Sequence, residues 1–163
     1  MEKIDTKKLL TAEIGTKKSV EVSETIKGLE LSDSIEGKRV IGKLKITKLD
    51  DSLIAKGDFV AGVVLICDRC LENFKAHVPF RLEREYNTDR SEQAAEGLFV
   101  DKYGQIDITE PIREEIILNI PLNNYCENGC LGICQGCGVN LNQEKCCCKK
   151  KKKDLKRGSE GRE

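Results

Sequence analysis

The chain has 163 residues, 39% hydrophobic and only 4% aromatic with no Trp, so one domain with a small appendage is expected and its core must rest on Ile, Leu and Val. Basic and acidic residues balance at 28 each, yet residues 149–163 carry net +5 and residues 1–148 net −5. This confines any nucleic-acid footprint to the tail or to local patches.

Met1 to Lys8 is charged and leads into no apolar segment of signal-peptide length. No run approaches the ~20 apolar residues that span a bilayer. The expected compartment is therefore the cytoplasm. There, nine cysteines point to metal binding before disulfides.

Along the chain, Val20, Val22 and Ile26 alternate with Glu21, Ser23 and Thr25, a strand pattern. Leu44 and Ile46 alternate with Lys43, Lys45 and Thr47 in a second strand. Leu49-Asp50-Asp51-Ser52 reads as a turn. Residues 53–66 are apolar on both faces, which predicts a central strand. Residues 74–86 alternate most cleanly, with Phe74, Ala76, Val78, Phe80, Leu82 and Tyr86 on one face and Arg84 as the exception. Pro79 lacks an N–H, which predicts an edge position or a bulge there. Residues 87–104 read as a loop. Thr109-Glu110-Pro111 predicts a helix start with Thr as the cap, and Ile112, Ile116, Ile117 and Ile120 recur at helical spacing up to Pro121. Residues 122–148 have no usable periodicity and hold seven cysteines.

The cysteines fall into short pairs. Cys67/Cys70 and Cys134/Cys137 are C-x-x-C, Cys126/Cys130 is C-x-x-x-C, and Cys146/Cys148 is C-x-C. Two cysteines three apart in a tight turn can aim both sulfurs at one point, and Zn²⁺ takes four sulfurs at ~2.3 Å in a tetrahedron. Gly138, directly after Cys137, permits the left-handed backbone such a turn often needs. Eight sulfurs make two structural zinc sites. Short loop closure favours Cys134/Cys137 with Cys146/Cys148, leaving Cys67/Cys70 with Cys126/Cys130. The crossing of Cys67/Cys70 with Cys134/Cys137 is the open alternative. Cys147 is left over, although it can replace either neighbour as a ligand. Redox catalysis is the lesser reading, because neither C-x-x-C heads a helix in a βαβ pattern. A catalytic zinc is disfavoured because such sites keep an open position and usually include His or a carboxylate. His77, the only histidine, falls on the polar face of its strand.

Lys149, Lys150, Lys151, Lys152, Lys153, Lys156 and Arg157 form a basic tail, expected to be disordered alone and offering weak, salt-sensitive RNA contact. It contains no aromatic for base stacking. Glu83, Glu85, Glu114 and Glu115 fit exposed faces better than a paired acid and base. No phosphate-binding loop, nucleophile elbow or dinucleotide fingerprint is present.

Three elements occur in a fixed order. Cys67-Asp-Arg-Cys70-Leu-Glu-Asn-Phe74 comes first, then Glu114-Glu-Ile-Ile-Leu-Asn-Ile-Pro121. Last comes Cys126-x3-Cys130-Leu-Gly-Ile-Cys134-x2-Cys137-Gly-Val-Asn-Leu-Asn142, closed by Cys146 and Cys148. Over roughly residues 15–148 this resembles the YceD family, the large-ribosomal-RNA-subunit accumulation proteins. The resemblance implies a role in accumulation of large-subunit (23S) ribosomal RNA and in ribosome biogenesis, and no catalysed reaction. It carries over Cys67, Cys70, Cys126, Cys130, Cys134, Cys137, Cys146 and Cys148 as the family's cysteine set, while Cys147 stands where another residue is usual.

The sequence therefore predicts an α+β protein. An antiparallel β-rich domain over 1–120 has one main helix near 110–120, a zinc-ribbon-like module covers 121–148, and a basic tail covers 149–163. The expected cofactor is Zn²⁺, two ions. The expected partner is pre-ribosomal RNA, a ribosomal protein or a processing factor, with no membrane and no small-molecule substrate. A zinc-stabilised protein-binding adaptor and a thiol redox switch are the alternatives.

Overall fold

The computed structural model describes residues 3–25, 30–32, 35–88 and 97–148. The elements are β1 (Ile4–Asp5), α1 (Lys7–Leu10), β2 (Lys17–Thr25), β3 (Glu30–Ser32), β4 (Ile35–Lys48), β5 (Ser52–Ile66), β6 (Asn73–Asn87), β7 (Leu98–Phe99), β8 (Gln105–Ile106) and α2 (Thr109–Asn119). Contacts divide the chain into two units. One is Met1–Val64 with Lys75–Pro121; the other is Leu65–Phe74 with the chain from Leu122 onward.

The first unit is built on a sheet of order β2-β4-β5-β6-β7, with β3 paired to β4. β4 is antiparallel to both β2 and β5. Among the described residues, β7 joins β6 in parallel, with Tyr86 opposite Leu98 and Asn87 opposite Phe99. Residues 87–104, read as loop, thus include a short strand, too brief to leave an alternation in the sequence. Pro79 lies on β6 away from the Tyr86 and Asn87 pairing with β7.

Alternation sets the core. Along β6, Val78, Phe80, Leu82 and Tyr86 are buried while His77, Pro79, Arg81 and Glu83 are exposed. Val40, Leu44 and Ile46 of β4 and Leu53, Ala55, Phe59, Ala61 and Val63 of β5 complete the same face. The start of β4 escapes sequence reading because Gly37 and Gly42 interrupt the apolar pattern, and the register shifts between Gly37 and Arg39. The structure fills the gap with an aromatic ring. A Cβ on Gly42 or Gly57 would come within 2.3 or 2.7 Å of Phe59 ring carbons. Phe59 also stacks on Phe80 at 5.4 Å. Ile26 lies outside the described residues.

α2 buries Pro111, Ile112 and Ile116, and each Ile side chain is worth about 1.5–3 kcal/mol of apolar burial. Its start differs from expectation. Ile108, not Thr109, stands at the cap and makes no side-chain bond; the Asp107 carboxylate accepts the Thr109 N–H at 2.8 Å. A carboxylate suits the positive end of the helix better than a hydroxyl. Arg84 pairs with Glu115 at 2.9 Å and with Glu114 at 3.4 Å, which explains the polar exception on the β6 face. Among the described residues, no helix is long and apolar enough to cross a membrane.

Candidate metal centre

The second unit has few apolar residues to pack, and its local structure comes from two turns of the same build. In Cys67–Cys70, the Leu71 N–H donates to Cys67 O at 2.9 Å and the Cys67 N–H to Glu72 O at 2.9 Å. In Cys134–Cys137, the Gly138 N–H donates to Cys134 O at 2.8 Å and the Cys134 N–H to Val139 O at 2.8 Å. Both turns require a left-handed residue after the second cysteine. Gly138 takes it at φ +74°, and Leu71 takes it at φ 61° despite its side chain.

These turns bring eight sulfurs into two groups. Cys67, Cys70, Cys126 and Cys130 form one; Cys134, Cys137, Cys146 and Cys148 form the other. Within each group all sulfurs lie within 4.8 Å of one another. The crossing of Cys67/Cys70 with Cys134/Cys137 does not occur. Cys147 belongs to neither group and is exposed.

The first group fits a tetrahedral metal closely. A ZnS₄ tetrahedron with ~2.3 Å bonds has sulfur–sulfur edges of about 3.8 Å. Cys67 to Cys130 and Cys70 to Cys126 are both 3.8 Å. Cys67, Cys70 and Cys130 are buried and pack with Phe74 and Cys126. The second group is more open and less regular. Cys134 to Cys148 and Cys137 to Cys146 are both 3.9 Å, but Cys134 to Cys146 is 3.1 Å, an edge a metal would have to spread. Gly136 lies against this group, where a Cβ would meet Cys148 Sγ at 2.8 Å.

Hydrogen bonds split the thiols within each group. Burial pushes the Cys67 thiol up, but backbone N–H groups of Cys70, Cys126 and Arg69 outweigh it and bring it down to about 6. Burial and the neighbouring thiols push Cys126 up to about 12. In the second group, the bond from Cys146 and the turn amides bring Cys134 down to about 6. Cys148, crowded by Cys137 and Cys146, is pushed up to about 12. Each group thus sets one thiol held low, Cys67 or Cys134, beside one pushed up, Cys126 or Cys148.

Sequence reasoning passed over the residues around the sulfurs. Arg69 donates through Nη1 to Cys130 O at 3.1 Å and sits 4.2 Å over the Tyr125 ring. Arg69 O accepts the Ile133 N–H at 2.9 Å. Asn142 donates to Cys130 Sγ at 3.4 Å. Nothing in local periodicity marks these positions, since each partner is distant along the chain. Leu71, Tyr125, Leu131 and Ile133 are left exposed in this unit. His77 is exposed on β6, and Glu83 pairs with Lys56 at 2.6 Å. The basic residues Lys149 to Lys153, Lys156 and Arg157 lie outside the described residues.

The family model described as "Large ribosomal RNA subunit accumulation protein YceD" matches residues 55–157, more than half the chain and all nine cysteines. The chain belongs to the YceD family. It is 38% identical over 63 residues to the chloroplastic "Large ribosomal RNA subunit accumulation protein YCED homolog 1" of Arabidopsis thaliana, covering 39% of this chain and 20% of that one. An uncharacterised protein of Mycobacterium tuberculosis is 28% identical over 123 residues, 72% of this chain and 58% of that one. A Mycobacterium leprae protein, also uncharacterised, is 28% identical over 120 residues, 70% and 54% respectively. The chain therefore spans less than two thirds of the length of these relatives. No solved structure matches it.

Proposed function

We propose that this YceD-family protein is a non-enzymatic, zinc-binding factor that supports accumulation of large-subunit ribosomal RNA during ribosome assembly. The observation that carries the ribosomal part is the family match over residues 55–157. The two cysteine tetrads support the zinc part, one Zn²⁺ each, held for structure: each offers four sulfurs and leaves no open position. The partner is pre-ribosomal RNA, a ribosomal protein or a processing factor, met in the cytoplasm. Depletion of the protein should lower 23S ribosomal RNA relative to 16S. An unchanged ratio on depletion would remove this reading.

A second reading, a protein-binding adaptor, has its own support. In the described part of the second unit Asp68, Glu72, Glu127 and Glu144 outnumber Arg69 and Lys145. Each filled site would add a formal charge of about −2 when all four thiols ionise. Such a surface repels phosphates, and its exposed Leu71, Leu131 and Ile133 suit a basic protein segment. Association with a ribosomal protein that survives ribonuclease treatment separates this reading from direct RNA contact, which ribonuclease would abolish.

A further inference from the structure

Asn142 belongs to neither tetrad, yet its side chain is fully engaged. Its Oδ1 accepts the Leu131 N–H at 2.8 Å. Its Nδ2, with two hydrogens to give, donates to Asn140 Oδ1 at 2.9 Å and to Cys130 Sγ at 3.4 Å. Asn140 and Asn142 lie on the return limb of the hairpin that carries Cys134 and Cys137. Ile133 bridges to Asn140, and the Leu141 N–H reaches Gly132 O at 2.8 Å. Asn140 O then accepts the N–H groups of Gln143 and Glu144 at 3.1 and 2.9 Å, in the turn that leads to Cys146 and Cys148. Asn142 thus touches a sulfur of the first tetrad while it is bonded into the hairpin of the second.

We propose that Asn142 couples the two metal sites, so that zinc in one tightens the hold on zinc in the other. This rests on the zinc reading above. A metal-bound thiolate keeps negative charge, so an amide N–H aimed at it makes a charge-assisted bond. With zinc on Cys130, that bond pins the Asn142 side chain. Through Leu131 and Asn140 it then pins the hairpin register that sets Cys134 and Cys137 against Cys146 and Cys148. In the other direction, a filled second site fixes the hairpin and presents the amide to Cys130. Linkage makes the two effects equal. Asn142 contacts no metal position itself; it is a positioning residue.

The test uses the full chain loaded with Zn²⁺, a graded chelator, and native mass spectrometry to count bound zinc. Disabling the second site with Cys134→Ser and Cys137→Ser should make the first site release zinc about ten-fold more readily, the lower end of outer-shell effects on metal affinity. Asn142→Ala alone should weaken the first site by the same factor, and combining it with the two serines should add nothing. Asn142→Asp keeps an oxygen for the Leu131 N–H but loses the donors to Cys130 Sγ and Asn140 Oδ1. It should weaken the first site at least as much as Asn142→Ala. With Co²⁺ in place of zinc, both Asn142 variants should shift the thiolate-to-cobalt charge-transfer band, which a purely structural role would leave alone. Additive losses, or zinc retention unchanged in both Asn142 variants, would overturn the coupling with two zincs still bound. A wild-type chain that binds no zinc would overturn the zinc reading itself, and the coupling with it.

Discussion

The turns Cys67–Cys70 and Cys134–Cys137 follow one hydrogen-bond plan in opposite surroundings. In the first, Cys67 and Cys70 are buried and their partners Cys126 and Cys130 come from far along the chain. In the second, Cys137 is exposed and its partner Cys146 follows only 9 positions later. The first turn forces Leu71 into the left-handed region, where the second uses Gly138. The backbone plan therefore fixes where two sulfurs point, and the surroundings decide how hard a bound metal is to remove. A shielded site exchanges slowly because ligand and chelator must meet through an opening of the structure.

The largest effect expected is on the buried site. Cys67→Ser with Cys130→Ser should abolish one zinc and unfold the second unit, because metal affinity of about 10–16 kcal/mol is folding free energy in small zinc modules. Cys137→Ser should remove the other zinc and leave more structure behind. Zinc counts by native mass spectrometry, with circular dichroism alongside, check both. Equal collapse in the two cases would erase the distinction between the sites.

Chelator kinetics come next. Zinc should leave in a fast and a slow phase, and the Cys137→Ser protein should lack the fast one. In the zinc-loaded chain, brief alkylation should label Cys137 and Cys147 before Cys67 and Cys70, following exposure. Peptide mass mapping reads that order, and early labelling of Cys67 would contradict it.

pH should treat the sites alike. Each group has a thiol pushed up to about 12, Cys126 in one and Cys148 in the other. Those thiols hold protons across the neutral range, and an incoming cation must displace them. Proton release makes zinc affinity rise with pH at both sites. Competition titrations between pH 6.5 and 8.5 measure the two slopes; clearly unequal slopes would break the symmetry.

The smallest expected effect concerns the left-handed residues. Gly138→Ala should cost about 1–2 kcal/mol of stability for placing a side chain at positive φ. Leu71→Gly should change stability by less than about 1 kcal/mol, since relief of strain opposes the added freedom of the unfolded chain. Thermal unfolding of the zinc-loaded protein compares them.

Much of this arrangement was legible in the sequence. The strands β5 and β6 announce themselves by alternation, and α2 by its Ile spacing. The pairing of cysteines into two groups follows from the cost of closing loops. Other features depend on distant partners and leave no local mark. β4 starts well before Leu44, because Phe59 of the next strand covers the gap at Gly42. Thr109 resembles a cap, but Asp107 does the capping. Asn142 sits in a run of small polar residues, and its approach to Cys130 exists only once the hairpin has formed.

The chain distance between ligands has a consequence for synthesis. The ligands of the second site all lie between Cys134 and Cys148, so they emerge together as the polypeptide is made. Cys67 and Cys130 stand 63 positions apart, with all of β6 and all of α2 between them. Until translation reaches Cys130, the hairpin that bears Cys67 and Cys70 can offer a metal only half a cage. Closing that cage staples a loop of some 60 residues, a constraint that for a disulfide of this span would be worth about 4 kcal/mol. Completion of the buried site thus records that the strands and helix between its ligands have already been made.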